Sequence, residues 1–257
     1  ATGTITGNLY DFGWGGGPIG FAVGGEYRRV ASEFIPDTAL SSGDVIGFNA
    51  GRSTSGNYDV KEGFGELRVP IAANQPLIHS LDFNVAGRYS SYSLASIGGV
   101  GTYAFGLEYA PIADIKFRGQ YSRAVRAPNV GELFGGISSG FPTVTDPCTT
   151  AAAIAPGGLR TTCLATGVPA ANLGQGVPST LQANTQIQAQ FGGNPNLNAE
   201  NSTSYTFGAV LRPSFIPRLS ITVDYFNISI ENSIATAGGG VANILNLCYN
   251  VFPDPNN

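Results

Sequence analysis

Apolar and polar residues alternate with a period of two through most of this 257-residue chain. That pattern restricts it to strands with two chemically unlike faces. In residues 78–90, Leu81, Phe83, Val85, Gly87 and Tyr89 take the odd positions, while Asp82, Asn84, Arg88 and Ser90 take the even ones. Residues 101–110 set Tyr103, Phe105, Leu107 and Tyr109 against Thr102, Ala104, Gly106 and Glu108. Residues 114–122 set Ile115, Phe117 and Tyr121 against Lys116, Arg118, Gln120 and Ser122. Segments 18–29, 202–212 and 218–225 repeat the design. Residues 59–69 are mixed, because Phe64 shares a face with Glu62, Glu66 and Arg68, and residues 2–11 carry the weakest pattern. Eight strands are expected.

The connections alternate in length. Short turns are expected at Gly13–Gly17, Pro70–Pro76, Ala110–Ala113 and Pro213–Pro217, and the intervening connections are residues 31–58, 92–99, 127–199 and 232 onward. Short turns on one side and long loops on the other, joining strands of about ten residues, describe an all-β, transmembrane, antiparallel up-and-down β-barrel of the bacterial outer membrane. The short turns are then periplasmic and the long loops extracellular. A strand of about ten residues tilted near 40° spans about 25 Å, the height of the apolar band. A soluble β-sandwich also alternates, but its strands are shorter and its outer faces carry more Lys and Glu. Only 12% of this chain is charged, against about 25% in an ordinary soluble domain.

Composition removes other classes. A net charge of −4 without a basic cluster argues against nucleic acid as a partner. A single His and no Met leave little for metal ligation or imidazole catalysis, so no catalytic residue, metal or cofactor is expected. His79 lies beside an expected periplasmic turn with no second ligand nearby. The run GWGGGP at 13–18 does not lead a strand into a helix and reads as a turn rather than a phosphate cradle. The glycosylation patterns at Asn201 and Asn227 fall at or within strands and are discounted. Glu62 and Glu66 share a face as a potential acid/base pair, but ion pairing with neighbouring Arg68, Arg88, Lys116 and Arg118 is the plainer account. Asp82, Arg88, Lys116 and Arg118 are the expected lumen-facing charges.

Two stretches stand apart from the alternation. YSRAVRAPNVGELF, residues 121–134, ends a strand, and GGNPNLNAENSTSYTFGA, residues 192–209, opens the next. Pro128 and Pro195 cannot donate to a ladder and mark where pairing stops and restarts. Arg123 and Arg126 are positioned to pair with Glu132 or Glu200 across the loop base, or to meet a ligand. These stretches resemble TonB-dependent receptors, whose S-R-x-x-R-A-P-x-x-x-E-L-F run is matched by Ser122, Arg123, Arg126, Ala127, Pro128, Glu132, Leu133 and Phe134. The family's G-N-P-x-L-x-P-E run is matched by Gly193, Asn194, Pro195, Leu197 and Glu200, with Ala199 in place of the second Pro. The later stretches 223–228 and 244–249 also resemble family members.

The resemblance implies an active transporter of the outer membrane, not an enzyme, that takes up a scarce ligand of the siderophore, cobalamin, haem or carbohydrate class. Its partners would be the lipid bilayer and, through an N-terminal TonB box, the TonB complex. It also implies a barrel of about 22 strands, so residues 1–257 would be a partial barrel domain with a plug domain absent from this chain. The missing initiator Met and the ending at Asn257 accord with an internal fragment. Cys148 and Cys163 in the long loop 127–199 are a candidate disulfide, with Cys248 left to pair elsewhere; three free thiols are the alternative. The same loop is either ligand-facing or a surface cover. Rival readings of the whole are a small passive porin-like barrel and a soluble β-rich adhesive domain.

Overall fold

The computed structural model describes residues 1–253. It divides into a sheet unit (1–33, 55–134 and 194–234) and a loop unit (34–54, 135–193 and 235 onward).

The sheet unit is an antiparallel sheet of eight strands: β1 (Thr2–Asp11), β2 (Pro18–Phe34), β3 (Thr54–Gln75), β4 (Ile78–Tyr92), β5 (Gly99–Ile112), β6 (Ile115–Arg126), and, after the ribbon strands β7 (Ser138–Gly140) and β8 (Ala189–Phe191) of the loop unit, β9 (Glu200–Leu211) and β10 (Ile221–Glu231). The spatial order is β1-β2-β3-β4-β5-β6-β9-β10, an up-and-down meander in which neighbours in sequence pair in space. β1 and β10 stand at opposite ends of that order, so the sheet is not closed into a barrel among the described residues.

Tight turns fall at residues 12–17, 76–77, 113–114 and 212–220, all at one end of the strands, and the longer connections leave from the other. Several expected boundaries move: the turn expected at Ala110–Ala113 shrinks to 113–114, and the connection expected at 31–58 to 35–53. The turn expected from Pro70 begins only after Gln75, because the register shift between Pro70 and Ala72 absorbs the proline as a bulge and lets pairing with β4 resume. β2 and β3 reach 17 and 22 residues, longer than a bilayer needs. Their loop ends continue beyond the apolar band.

Register confirms the division of faces. Val85, Phe105, Tyr121 and Tyr205 form one row across β4, β5, β6 and β9, and Phe207 pairs with Tyr225 of β10. Phe105, Tyr205, Phe207 and Tyr225 are exposed, as is Val223 at 68%, while Val85 and Tyr121 are half-buried; so much exposed apolar surface is untenable in water but normal against lipid. Tyr225, Tyr205, Tyr121, Tyr103 and Tyr89 edge this face toward the loop end, but not along one ladder row. The row of Tyr225 runs through Phe207, Gly119 and Leu107 to Phe83, and Tyr89 lies six residues beyond Phe83. At about 3.3 Å per residue the belt climbs about 20 Å over four spacings of about 4.8 Å, an inclination near 45°. A belt that is level in a membrane therefore requires strands tilted by about that angle, as outer-membrane barrels have.

Glycine has a specific job in the turn between β1 and β2. A Cβ on Gly16 would lie 2.6 Å from the Pro70 carbonyl oxygen, and one on Gly15 2.6 Å from that of Ala73. The turn lies flat against the end of β3, where the Ala73 amide donates to the Trp14 carbonyl at 2.9 Å.

In the loop unit, which begins with the short helix α1 (Thr38–Ser42), Cys148 and Cys163 are joined as a disulfide with a Cα–Cα distance of 5.8 Å. Around it pack Ala153, Leu173, Leu159, Val168, Leu181 and Tyr249. Cys163 lies on the eight-residue helix Gly158–Ala165, and Cys148 on a 3-10 turn whose first amides are capped by Asp146. A two-stranded ribbon, β7 (Ser138–Gly140) with β8 (Ala189–Phe191), closes the base of this segment. Cys248 is unbonded among the described residues.

Candidate functional site

The polar face of the sheet carries charge in neutralised pairs. Lys116 reaches Glu108 at 2.8 Å, and Arg68 reaches Asp82 at 2.9 Å. Each pair joins neighbouring strands, as diagonal cross-strand neighbours should. Arg118 donates from Nε and Nη2 to the Asp224 carboxylate at 2.7–3.1 Å, and so reaches from β6 to β10 over β9. Arg88 and Arg28 both donate to Glu62, at 3.0 and 3.4 Å, and the Ser90 hydroxyl donates to its other oxygen. The Glu62 side chain is only 4% exposed. A carboxylate so buried requires these donors, since an unpaired buried charge costs several kcal/mol. Phe64, the apparent intruder on this face, lies under the Arg88 guanidinium at 4.9 Å from its ring centre, a cation–π contact.

Of the four expected lumen charges, Asp82, Arg88, Lys116 and Arg118 all lie on this face and all are salt-bridged. Glu66 points the same way but has no ion pair among the described residues, so the two glutamates do not act as a pair. The face borders a cavity of about 980 Å³ lined by Arg68, Glu108, Arg118, Gln120 and Asp224 among others.

At the loop end the motif residues form a clamp. Arg126, the last residue of β6, donates from Nε to Glu200, the first of β9, and from Nη1 to both oxygens of Glu132 at 3.1–3.2 Å. Glu132 belongs to the short helix α2 (Val130–Phe134). Its carboxylate accepts from the Asn129 amide at 2.7 Å, while the Asn129 side chain accepts from the Glu132 amide at 2.8 Å. This reciprocal cap needs an Asn and a Glu three residues apart. Glu200 accepts a further bond from the Ile234 amide at 2.7 Å, so one guanidinium and two carboxylates tie together four segments.

The Arg126–Glu200 row lies five ladder steps beyond Tyr121–Tyr205, outside the apolar band. Its hydrogen bond from Arg126, then that from Ile234, pulls the Glu200 carboxyl down to about 2. The same bond holds the Arg126 guanidinium above its ordinary value.

The clamp holds a small core. Leu133 and Val130 of α2 are 1% and 4% exposed and pack on Tyr58 and Val60 of β3, with Tyr92, Leu94, Phe134 and Leu197 around them. Burying two such side chains contributes about 1.5–3 kcal/mol each. Pro128 is fully buried where β6 ends. Asn194 donates its amide to the Glu132 carbonyl at 2.8 Å, and its side chain accepts from the Asn196 amide. The Pro195 carbonyl accepts from Ser96 at 3.5 Å.

Arg123 departs from the expectation that it pairs with Glu132 or Glu200. It donates to the Asn201 side chain at 3.3 Å instead. It lies three positions before Arg126, an odd offset, so the two arginines must point to opposite faces of one strand. Tyr58, Val60, Ser90 and Asn129 were not singled out from the sequence. Asn129 was legible through its spacing to Glu132; the others depend on long-range pairing.

Among solved structures the chain is similar to a mutant of the ferric enterobactin receptor PfeA from Pseudomonas aeruginosa in complex with enterobactin, at 15% identity and a TM-score of 0.55. It is also similar to the siderophore receptor PirA from Acinetobacter baumannii, at 13% identity and a TM-score of 0.54. Both matches cover 90% of this chain and 26% of the other, so the chain spans about a quarter of the length of these structures. No curated protein matches it. The family described as TonB dependent receptor-like, beta-barrel matches residues 1–253. With one apolar and one salt-bridged sheet face, the chain belongs to the TonB-dependent receptor β-barrel family.

Proposed function

We propose that this chain forms part of the barrel wall of an outer-membrane receptor that performs energised uptake of a scarce ligand. The observation that carries the reading is the family match over residues 1–253 on a sheet with one lipid-facing and one ion-paired face. In this reading the plug and the TonB-contacting segment lie in other parts of the receptor. Residues 127–199, with their disulfide, are an extracellular loop at the ligand entrance. The clamp at Arg126, Glu132 and Glu200 anchors that loop to the wall and is structural, because both carboxylates and the Nε and Nη1 of Arg126 are already bonded within the protein.

The cargo belongs to the siderophore, cobalamin, haem or carbohydrate class. Siderophores are favoured because the neighbouring structures are siderophore receptors. The test places the full-length receptor in a host without its own siderophore receptors and measures accumulation of radiolabelled ferric enterobactin and ferric hydroxamates, with and without TonB. TonB-dependent accumulation is expected. Entry at an equal rate without TonB would favour a passive pore, and recovery of the receptor in the aqueous fraction without detergent would favour a soluble β-rich domain.

A further inference from the structure

The lipid-facing side of the sheet has a gap at Gly119. Its ladder partners are Leu107 and Phe207, and Phe105, Phe117, Tyr121 and Tyr205 rise around it to enclose an apolar notch of about 420 Å³. Crowding does not require the glycine. A Cβ there would meet the Phe207 ring at 3.4 Å and the Thr206 carbonyl oxygen at 3.9 Å, both ordinary contacts. The notch is open space where the face elsewhere presents bulky side chains.

A second observation concerns charge. The strands of this sheet carry six Lys and Arg residues on the lumen face, and each is salt-bridged. Alternation puts three more, Arg29, Lys61 and Arg123, on the lipid-facing side toward the loop end, and none of these has a carboxylate within salt-bridge reach among the described residues. Arg29 and Lys61 share their face with Asp59, which accepts from the Tyr27 hydroxyl. Arg123 has no acid on its face of either neighbouring strand, and Glu231, one strand further on opposite Asn201, makes no salt bridge with it. Its row neighbours are Tyr103 and Thr203, and its single polar partner is Asn201.

The two features lie on one line. Gly119, Tyr121 and Arg123 are successive outward positions of β6, so the guanidinium stands about 13 Å along the strand from the notch and, with strands tilted near 45°, about 9 Å nearer the membrane surface. Tyr121 lies between them, its hydroxyl 3.5 Å from that of Tyr103, at the depth where a lipid changes from hydrocarbon to ester. Arg is the side chain best suited to a phosphate, through two parallel N–H···O bonds.

We propose that the Gly119 notch and Arg123 together bind one phosphate-bearing membrane lipid in the loop-end leaflet, with an acyl chain in the notch and the phosphate on the guanidinium. The site rests on the lipid-facing assignment of this surface and is independent of the receptor's cargo.

The test uses the full-length receptor purified in a phosphate-free detergent, incubated with phosphatidylglycerol and examined by native mass spectrometry. One retained phosphatidylglycerol is expected. Arg123→Gln and Gly119→Leu, which fills the notch with an apolar side chain, should each lower the retained fraction at least fivefold. Lys116→Gln, on the lumen face, should leave it unchanged. Diacylglycerol with the same chains and glycerol phosphate without chains should not be retained. Heat-modifiable gel migration establishes that each variant is folded. The proposal fails if either folded variant of the site retains lipid as the wild type does, if Lys116→Gln loses as much, or if either partial ligand is retained equally.

Discussion

Arg118 and Asp224 meet directly above Gly208, the residue that pairs with both in the ladder. A Cβ at Gly208 would run into the Asp224 carboxylate and stand 3.0 Å from Arg118 Nε. The absence of a side chain on β9 is what lets β6 and β10 join across it. Gly208→Ala is therefore expected to break the pair, at a cost of about 1 kcal/mol for so exposed an interaction. Asp224→Asn should remove most of the same increment. If the two effects add fully in the double variant, measured by denaturant unfolding in detergent, the glycine is not what permits the bridge.

The clamp at the loop base has a defined pH range. The folded-state carboxyl of Glu200 is held at about 2, below the ordinary value of about 4.3. The ion pair's contribution is therefore full above that ordinary value and is lost as pH falls through about 2. Protease resistance of residues 127–199 in the native receptor should persist to about pH 3 in the wild type. Glu200→Gln should lose part of it already at pH 7. Equal resistance of the two proteins at neutral pH would show that the loop is anchored elsewhere.

The disulfide is a local staple. Closing a loop of 15 residues contributes about 3 kcal/mol in the chain-entropy model. Peptides containing Cys148 and Cys163 should run as one mass before reduction and as two after it. Reduction should speed proteolysis within 146–182 and leave the strands intact. Separate peptides without reductant would contradict the bond.

Facing can be tested by charge. Phe105 and Ala104 are adjacent on β5, Phe105 in the apolar row of Tyr121 and Ala104 on the opposite, polar face in the row of Ser122. Phe105→Lys should cost about 2–4 kcal/mol near the bilayer midplane and strongly reduce assembled receptor. Ala104→Lys should be tolerated. Equal yields of heat-modifiable protein from both variants would refute the assignment.

Much of this was legible in the sequence because the strand period is local. Each side chain's face follows from its parity, so Leu81, Phe83, Phe105 and Phe117 announce an apolar face and Asp82, Arg88, Lys116 and Arg118 a charged one without any knowledge of partners. Alternating connection lengths likewise implied a meander with one short-turn end. The same parity already forbade Arg123 and Arg126 from sharing a face, although the motif's shape suggests that they act together.

What the tertiary structure decided is pairing across long separations. Sequence patterns supply candidates for Glu62, Arg118 or Arg126, but which carboxylate each guanidinium reaches depends on register. The reach of Arg118 over Gly208 to Asp224, 106 residues away, has no local signature. The bulge at Pro70, which extends β3 past the expected turn, and the seating of α2 on Tyr58 and Val60 depend on which strand lies alongside. Parity is a property of one chain segment, whereas hydrogen-bond register and packing belong to two, and only folding brings the second to the first.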